Sequence, residues 1–250
     1  MPDPAGQNGA ELWLVDLARA GPALERLEHE VPRLGALDRG RMLALPDARR
    51  RLAAHVALRV IIEARLGAGL RGREVLRRGG GKPRLEAQPD GIDFSLSYTD
   101  HLALIGLARG SAIGVDIERV RPVAIAPQRR RNIETAAAAL LHQACAEGPA
   151  DRAFMQAWVR LEALAKARGE GLAAVLVRLG IRHAQLPPAA AVSGRARRHL
   201  AATGLKVEDL APAPDCVAAV AADRTLTVPA IMGFPCDRPG IEALLGARAC

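Results

Sequence analysis

Residues 112–118, Ala112-Ile113-Gly114-Val115-Asp116-Ile117-Glu118, alternate with a period of two. That period reads as a β-strand. It puts Ile113, Val115 and Ile117 on one face, and Gly114, Asp116 and Glu118 on the other. Carboxylates at i and i+2 on one strand face stand about 7 Å apart at Cβ. Both can reach one hard cation, whose oxygen ligands lie at roughly 2.0–2.1 Å for magnesium. Gly114 leaves room on the same face for a close approach to the backbone. Taken alone, the segment fits a cation site and a solvated acidic edge strand equally.

The chain around this strand is 250 residues long, enough for one large domain or two small ones. Half of it is apolar, yet it holds only two Trp, one Tyr and three Phe, so its core must be Leu, Ala and Val packing. No apolar run approaches the ~20 residues of a membrane span. Residues Met1 to Gly6 lack the basic start and apolar stretch of a signal peptide. These features lead to the expectation of a cytoplasmic protein without membrane association. Cys145, Cys216, Cys236 and Cys250 form no CxxC pair, which argues against zinc and against a disulfide framework.

Charge is unevenly placed. Residues 49–84 carry ten Arg and one Lys against two Glu (Glu63 and Glu74), an excess larger than the +8 of the whole chain. Such concentration points to an anionic partner: phosphates, nucleic acid or an acidic protein surface. A solvated basic helix is the plain alternative.

Leu12 to Val15 reads as a strand, Leu37 to Leu45 as a short helix and Pro46 to Gly67 as a long one. Ile92 to Leu96 and Leu102 to Ala108 read as strands, and the acidic strand follows. Ala126 to Arg168 is mostly helical, with a break near Gly148-Pro149. Val175 to Leu179, Leu205 to Leu210 and Val217 to Ala221 look strand-like, and residues 187–204 look irregular. Helix followed by short antiparallel strands, twice, suggests an α+β fold of two pseudo-symmetric halves, without a convincing sequence repeat between them. The expected boundaries are 1–110, 111–228 and a tail at 229–250 that the pattern does not place.

The helix near Arg152 to Arg168 carries a third acid. Phe154, Trp158, Leu161 and Ala165 form its apolar stripe. Glu162 and Lys166 stand at i and i+4 on its flank, in the favourable order of acid before base. An ordinary surface ion pair has the same pattern. Combined with the acidic strand, however, three acids and a lysine suit metal-assisted phosphoryl transfer.

A set of motifs carries a family resemblance: Gly81-Lys82-Pro83, residues 94–99 (Phe94-Ser95-Leu96-Ser97-Tyr98-Thr99), residues 113–118, and Trp158 to Lys166 followed by Gly169-Glu170-Gly171-Leu172. Arg50 and Arg59 stand upstream on the long helix. In order and spacing, over roughly residues 45–225, the chain resembles the surfactin-synthetase-activating type of 4′-phosphopantetheinyl transferase.

The resemblance implies a monomeric enzyme that moves the 4′-phosphopantetheine arm of coenzyme A onto a serine of an acyl or peptidyl carrier protein. Adenosine 3′,5′-bisphosphate is the second product, and the active site is expected between the two halves. It implies that Asp116, Glu118 and Glu162 hold Mg2+ (or Mn2+), with Glu162 also the base and Lys166 neutralising the pyrophosphate. Lys82, Pro83, Ser97 and Tyr98 would border coenzyme A, with Arg50 near its 3′-phosphate.

The chain departs from the family pattern at three places. Tyr98 replaces a histidine, Leu161 replaces a lysine, and the Arg-rich stretch Ala126 to Ile133 replaces an aromatic pair. His101 is a candidate to stand in for the missing imidazole. His29, His55, His142, His183 and His199 lack ligand-like spacing and read as packing or surface residues. Gly79-Gly80-Gly81 lacks the residue order of a P-loop. Two alternatives stand beside the enzyme: a non-catalytic relative that binds coenzyme A or carrier protein, and a basic nucleic-acid-binding protein.

Overall fold

The computed structural model describes residues 9–77, 81–141, 149–181 and 187–247. The expectations made for Met1 to Gly6, Gly79, Gly80, His142, Cys145, Gly148, His183 and Cys250 lie outside those residues.

The fold is α+β. The first half runs β1 (Ala10–Asp16), α1 (Leu17–Glu30), α2 (Ala36–Leu43), α3 (Ala48–Leu66), β2 (Val75–Leu76), β3 (Arg84–Leu85), β4 (Ile92–Thr99) and β5 (Leu102–Arg109). The second runs β6 (Ile113–Arg119), α4 (Pro127–Leu141), α5 (Ala150–Arg168), α6 (Leu172–Arg178), α7 (Ala189–Ala201), β7 (Leu205–Leu210) and β8 (Cys216–Asp223). β9 (Ile231–Gly233) and α8 (Arg238–Gly246) follow.

Each half begins with a strand, continues through helices and ends in an antiparallel strand pair. Sheet order is β4-β5-β1 in the first half and β7-β8-β6 in the second, so the opening strand pairs with the last strand in both. β9 extends the first sheet by pairing parallel to β1, Leu12 opposite Ile231. The terminal segment, which the sequence pattern left unplaced, therefore packs with the first half.

Period-two alternation sorts the strand side chains into two cores. Leu12, Leu102, Leu104, Ile113, Val115, Ile117, Ala218 and Val220 meet in one apolar cluster between the sheets. The alternate residues Trp13, Val15, Ala103, Ile105 and Leu107 pack outward on α1 and α3. Val217, Ala219 and Ala221 pack outward on α5. The layers run helix, sheet, sheet, helix. Strands buried on both faces read as continuous apolar runs, as β5 and β8 do.

Two local expectations need correction, and one helix lies where none was expected. Residues 175–179 are not a strand; most belong to α6, with Val175 and Leu176 buried. Residues 187–204 are not irregular; they contain α7, whose Val192, Ala196 and Leu200 form a buried stripe at i, i+4, i+8. α1 was not anticipated. It starts where the Asp16 carboxylate accepts from the Ala18 and Arg19 amides at 3.0 Å, and it carries Pro22 in its second turn.

Candidate active site

Strand β6 meets helix α5 across Gly114. A Cβ there would lie 2.1 Å from the Ala163 carbonyl oxygen and 2.3 Å from the Ala167 nitrogen. The space left by this glycine is filled by α5 itself. That contact brings the acids of β6 against the flank of α5 that carries Glu162 and Lys166.

Asp116 is 4% exposed. Its Oδ1 accepts from Ser97 Oγ at 2.6 Å and from Lys166 Nζ at 2.7 Å. Its Oδ2 is buried without a hydrogen-bond partner among the described residues. Burial raises the Asp116 pKa, while Lys166 and Ser97 oppose the rise. Glu162 is half-buried. Burial, then the charge of Asp116, raises its pKa; Lys166 pulls it down and Glu118 adds to the rise. The three carboxylates thus share one electrostatic neighbourhood. Glu118 Oε2 accepts from Arg121 Nη1 at 2.8 Å.

Two cavities are lined by residues around Asp116, which itself lines neither. One, of about 310 Å3, is lined by Arg77, Lys82, Pro83, Leu96, Glu162 and Lys166. The other, of about 590 Å3, is lined by Arg50, Arg51, Tyr98, Glu118, Arg119 and Arg121. Strand β4 runs from the first, at Ser95 and Leu96, to the second, at Tyr98 and Thr99, with buried Ser97 between them.

The proposed coenzyme A residues are distributed over these two cavities and between them, in different states. Pro83 lines the smaller one. Lys82 lines it too, but its ammonium bonds to Asp93 and to the Ile113 carbonyl, and burial pulls its pKa down against the pull of Asp93. Its backbone packs against Gly169, a left-handed residue (φ 69°) that ends α5. Arg50 pairs with Asp47 at 2.7 Å and donates to the Asp100 carbonyl at 2.9 Å. The Arg51 guanidinium stands 5.8 Å from the centre of the Tyr98 ring. His101 is exposed and lines a different cavity, with Leu17, Leu52, Val56, Arg49 and Arg50. Leu161, where the family pattern has lysine, is fully buried in the α5 core.

Several contributors were not anticipated. Arg121 holds Glu118, Arg119 pairs with Asp100 at 2.8 Å, and Asp93 and Ser95 bond β4 to β6. The signal for the last two was present: Asp93, Ser95 and Ser97 form a polar stripe of period two in an otherwise apolar strand. The basic stretch is also less open than its composition implies. Arg59 pairs with Asp38, Arg65 with Glu11, Arg71 with Glu63 and Lys82 with Asp93.

Among the described residues, no group of three or more His, Cys, Asp or Glu side chains is assembled as a metal cage. No helix among them is long and apolar enough to cross a membrane.

Residues 112–220 match the model of the 4′-phosphopantetheinyl transferase superfamily (ACPS). The matched stretch holds β6 through most of β8, including Asp116, Glu118, Glu162 and Lys166. The match supports phosphopantetheine transfer in general terms, and the α+β fold agrees with it. No curated protein matches the chain.

Proposed function

We propose that the protein transfers the 4′-phosphopantetheine group of coenzyme A to a serine of an apo acyl or peptidyl carrier protein, as a Mg2+-dependent monomer. The observation that carries this reading is the state of Asp116. It is a buried carboxylate with both its donors on one oxygen, the other oxygen without a partner among the described residues, coupled by charge to Glu118 and Glu162, each of which lines a cavity.

The donor set fits a hard divalent cation. An unpartnered buried oxygen is costly, and clustered carboxylates repel. Asp116, Glu118 and Glu162 are the residues to hold it, Glu118 by leaving Arg121. When bound, the cation supplies charge neutralisation on the pyrophosphate oxygens.

The chain's own groups account for the rest. The carrier serine oxygen bonds to the phosphorus next to pantetheine, and the phosphorus–oxygen bond to the adenosine bisphosphate breaks. Glu162 takes the serine proton; its raised pKa suits a base that must hold a proton transiently. Lys166, one turn on, faces the charge that develops on the leaving phosphate. Pro83, Tyr98, Arg50 and the stem of Lys82 border the coenzyme, and Ser97 lies beneath Asp116.

The test is chromatographic release of adenosine 3′,5′-bisphosphate from coenzyme A with Mg2+ and a set of apo carriers. The reading expects carrier-dependent release that Asp116→Ala abolishes while the variant stays folded. Release that persists undiminished in Asp116→Ala contradicts the site assignment.

A further inference from the structure

Among the described residues β6 is an outer strand, paired by β8 on one edge only. The backbone groups of its other edge need partners. β4 supplies them with side chains. Asp93 accepts from the Ile113 amide at 2.8 Å, and Ser95 accepts from the Val115 amide at 3.0 Å. Lys82 donates to the Ile113 carbonyl. Ser97 is the next residue on that stripe, but its hydroxyl turns to a side chain instead and donates to Asp116 Oδ1 at 2.6 Å.

We infer that Ser97 is a positioning residue: together with Lys166 it clamps Asp116 Oδ1 so that Oδ2 faces the cation. This rests on the function proposed above. The terminal torsion of an aspartate is broad, so a single donor leaves the carboxylate plane free to turn. Two donors on one oxygen, from β4 and from α5, fix that plane. Ser97 is 8% exposed, and a hydroxyl has one proton to donate. Since that proton is committed to Asp116, it is not available to a phosphate of coenzyme A. The serine therefore acts on the substrate through the metal ligand, not by contact.

The test compares wild type, Ser97→Ala and Ser97→Thr as full chains. Mn2+ affinity is read from the free-ion signal by electron paramagnetic resonance, with Asp116→Ala as the control. Metal-free coenzyme A affinity is read by calorimetry. Loss of a group that orients a ligand lowers metal affinity by about 10–100-fold. Ser97→Ala should weaken Mn2+ binding by about 10-fold, leave metal-free coenzyme A affinity unchanged, and be rescued by Ser97→Thr, which keeps the hydroxyl. Wild-type Mn2+ affinity in Ser97→Ala overturns the clamp, as does a loss of coenzyme A affinity that matches the loss of metal affinity. Crystal structures of wild type and Ser97→Ala give a readout independent of activity. A rotated Asp116 carboxylate supports the clamp, and an unchanged one overturns it. Wild type that binds no Mn2+ overturns the proposed function, while the structural comparison still decides the clamp.

Discussion

At position 114 the chain tolerates no side chain, because the atoms a methyl group would strike are the backbone of α5. Backbone cannot rotate away, so Gly114→Ala forces α5 off β6. We expect a loss of about 3 kcal/mol in urea unfolding, the upper range for overpacking. Unchanged stability would show that the close approach is not real. Glu162 offers the complementary case of chemistry without packing. Glu162→Gln keeps the shape and removes the proton acceptor, so kcat should fall about 100-fold or more with the melting temperature retained. Normal turnover would remove Glu162 as the base. Sequence pattern pointed to Asp116, Glu118, Glu162 and Lys166 because period and i, i+4 spacing are local. It also pointed to a close approach at Gly114, though not to what approaches. The bond from Ser97 to Asp116 was not legible, since it depends on how an unpaired edge of β6 is satisfied by a strand of the other sheet.

The element that bears most on the site is α5. Arg160, 1% exposed, grips Asp209 of β7 through Nε at 2.8 Å and Nη2 at 2.6 Å. Gln156 donates to the same carboxylate at 2.8 Å and to the Ala218 carbonyl at 3.0 Å. These bonds tie the helix to β7 and β8, while Gly114 seats it on β6. Asp209→Ala takes a carboxylate from a buried guanidinium and should cost about 2 kcal/mol of stability by thermal or urea unfolding. A change near zero would mean that Arg160 finds full compensation elsewhere. Other elements were harder to read. Residues 175–179 are a five-residue apolar run, too short for its period to tell a strand from a buried helical turn. In α7 the buried stripe is only Val192, Ala196 and Leu200, and Gly194 interrupts it. In α1 the interior Pro22 argues against a helix that the Asp16 cap nevertheless starts. Long helices with clear terminal signals, α3 between Pro46 and Gly67 and α5 before Gly169, were legible to within a few residues.

Across the whole molecule, the two halves repeat one strand order and face each other through their sheets. Helix–strand alternation made this α+β plan visible. The pairing of β9 with β1 was not, because three residues amid Pro and Gly carry no period. The distribution of charge belongs to this scale as well. Much of the cationic excess of residues 49–84 answers acids elsewhere in the same half, including Asp38, Glu11 and Asp93, so composition overstated the exposed basic surface. His55 reports on that interior. It is half-buried on α3, and burial followed by the charges of Arg59, Arg51 and Arg77 pushes its pKa from 6.5 to about 4. The unfolded chain therefore takes up a proton between about pH 6.5 and 4 that the native state refuses. Stability from this group is complete above that window and falls as pH drops through it, by up to about 1.4 kcal/mol per pH unit. Urea unfolding of His55→Gln should show a flatter pH dependence there; an identical slope would mean that His55 titrates normally.

The most direct test of the account is intact-mass analysis of apo carrier proteins incubated with the protein, coenzyme A and Mg2+. It predicts the addition of one 4′-phosphopantetheine group to a single carrier serine, and no addition with Asp116→Ala. Carriers that stay unmodified here, yet are loaded by an authentic transferase in the same buffer, would contradict it.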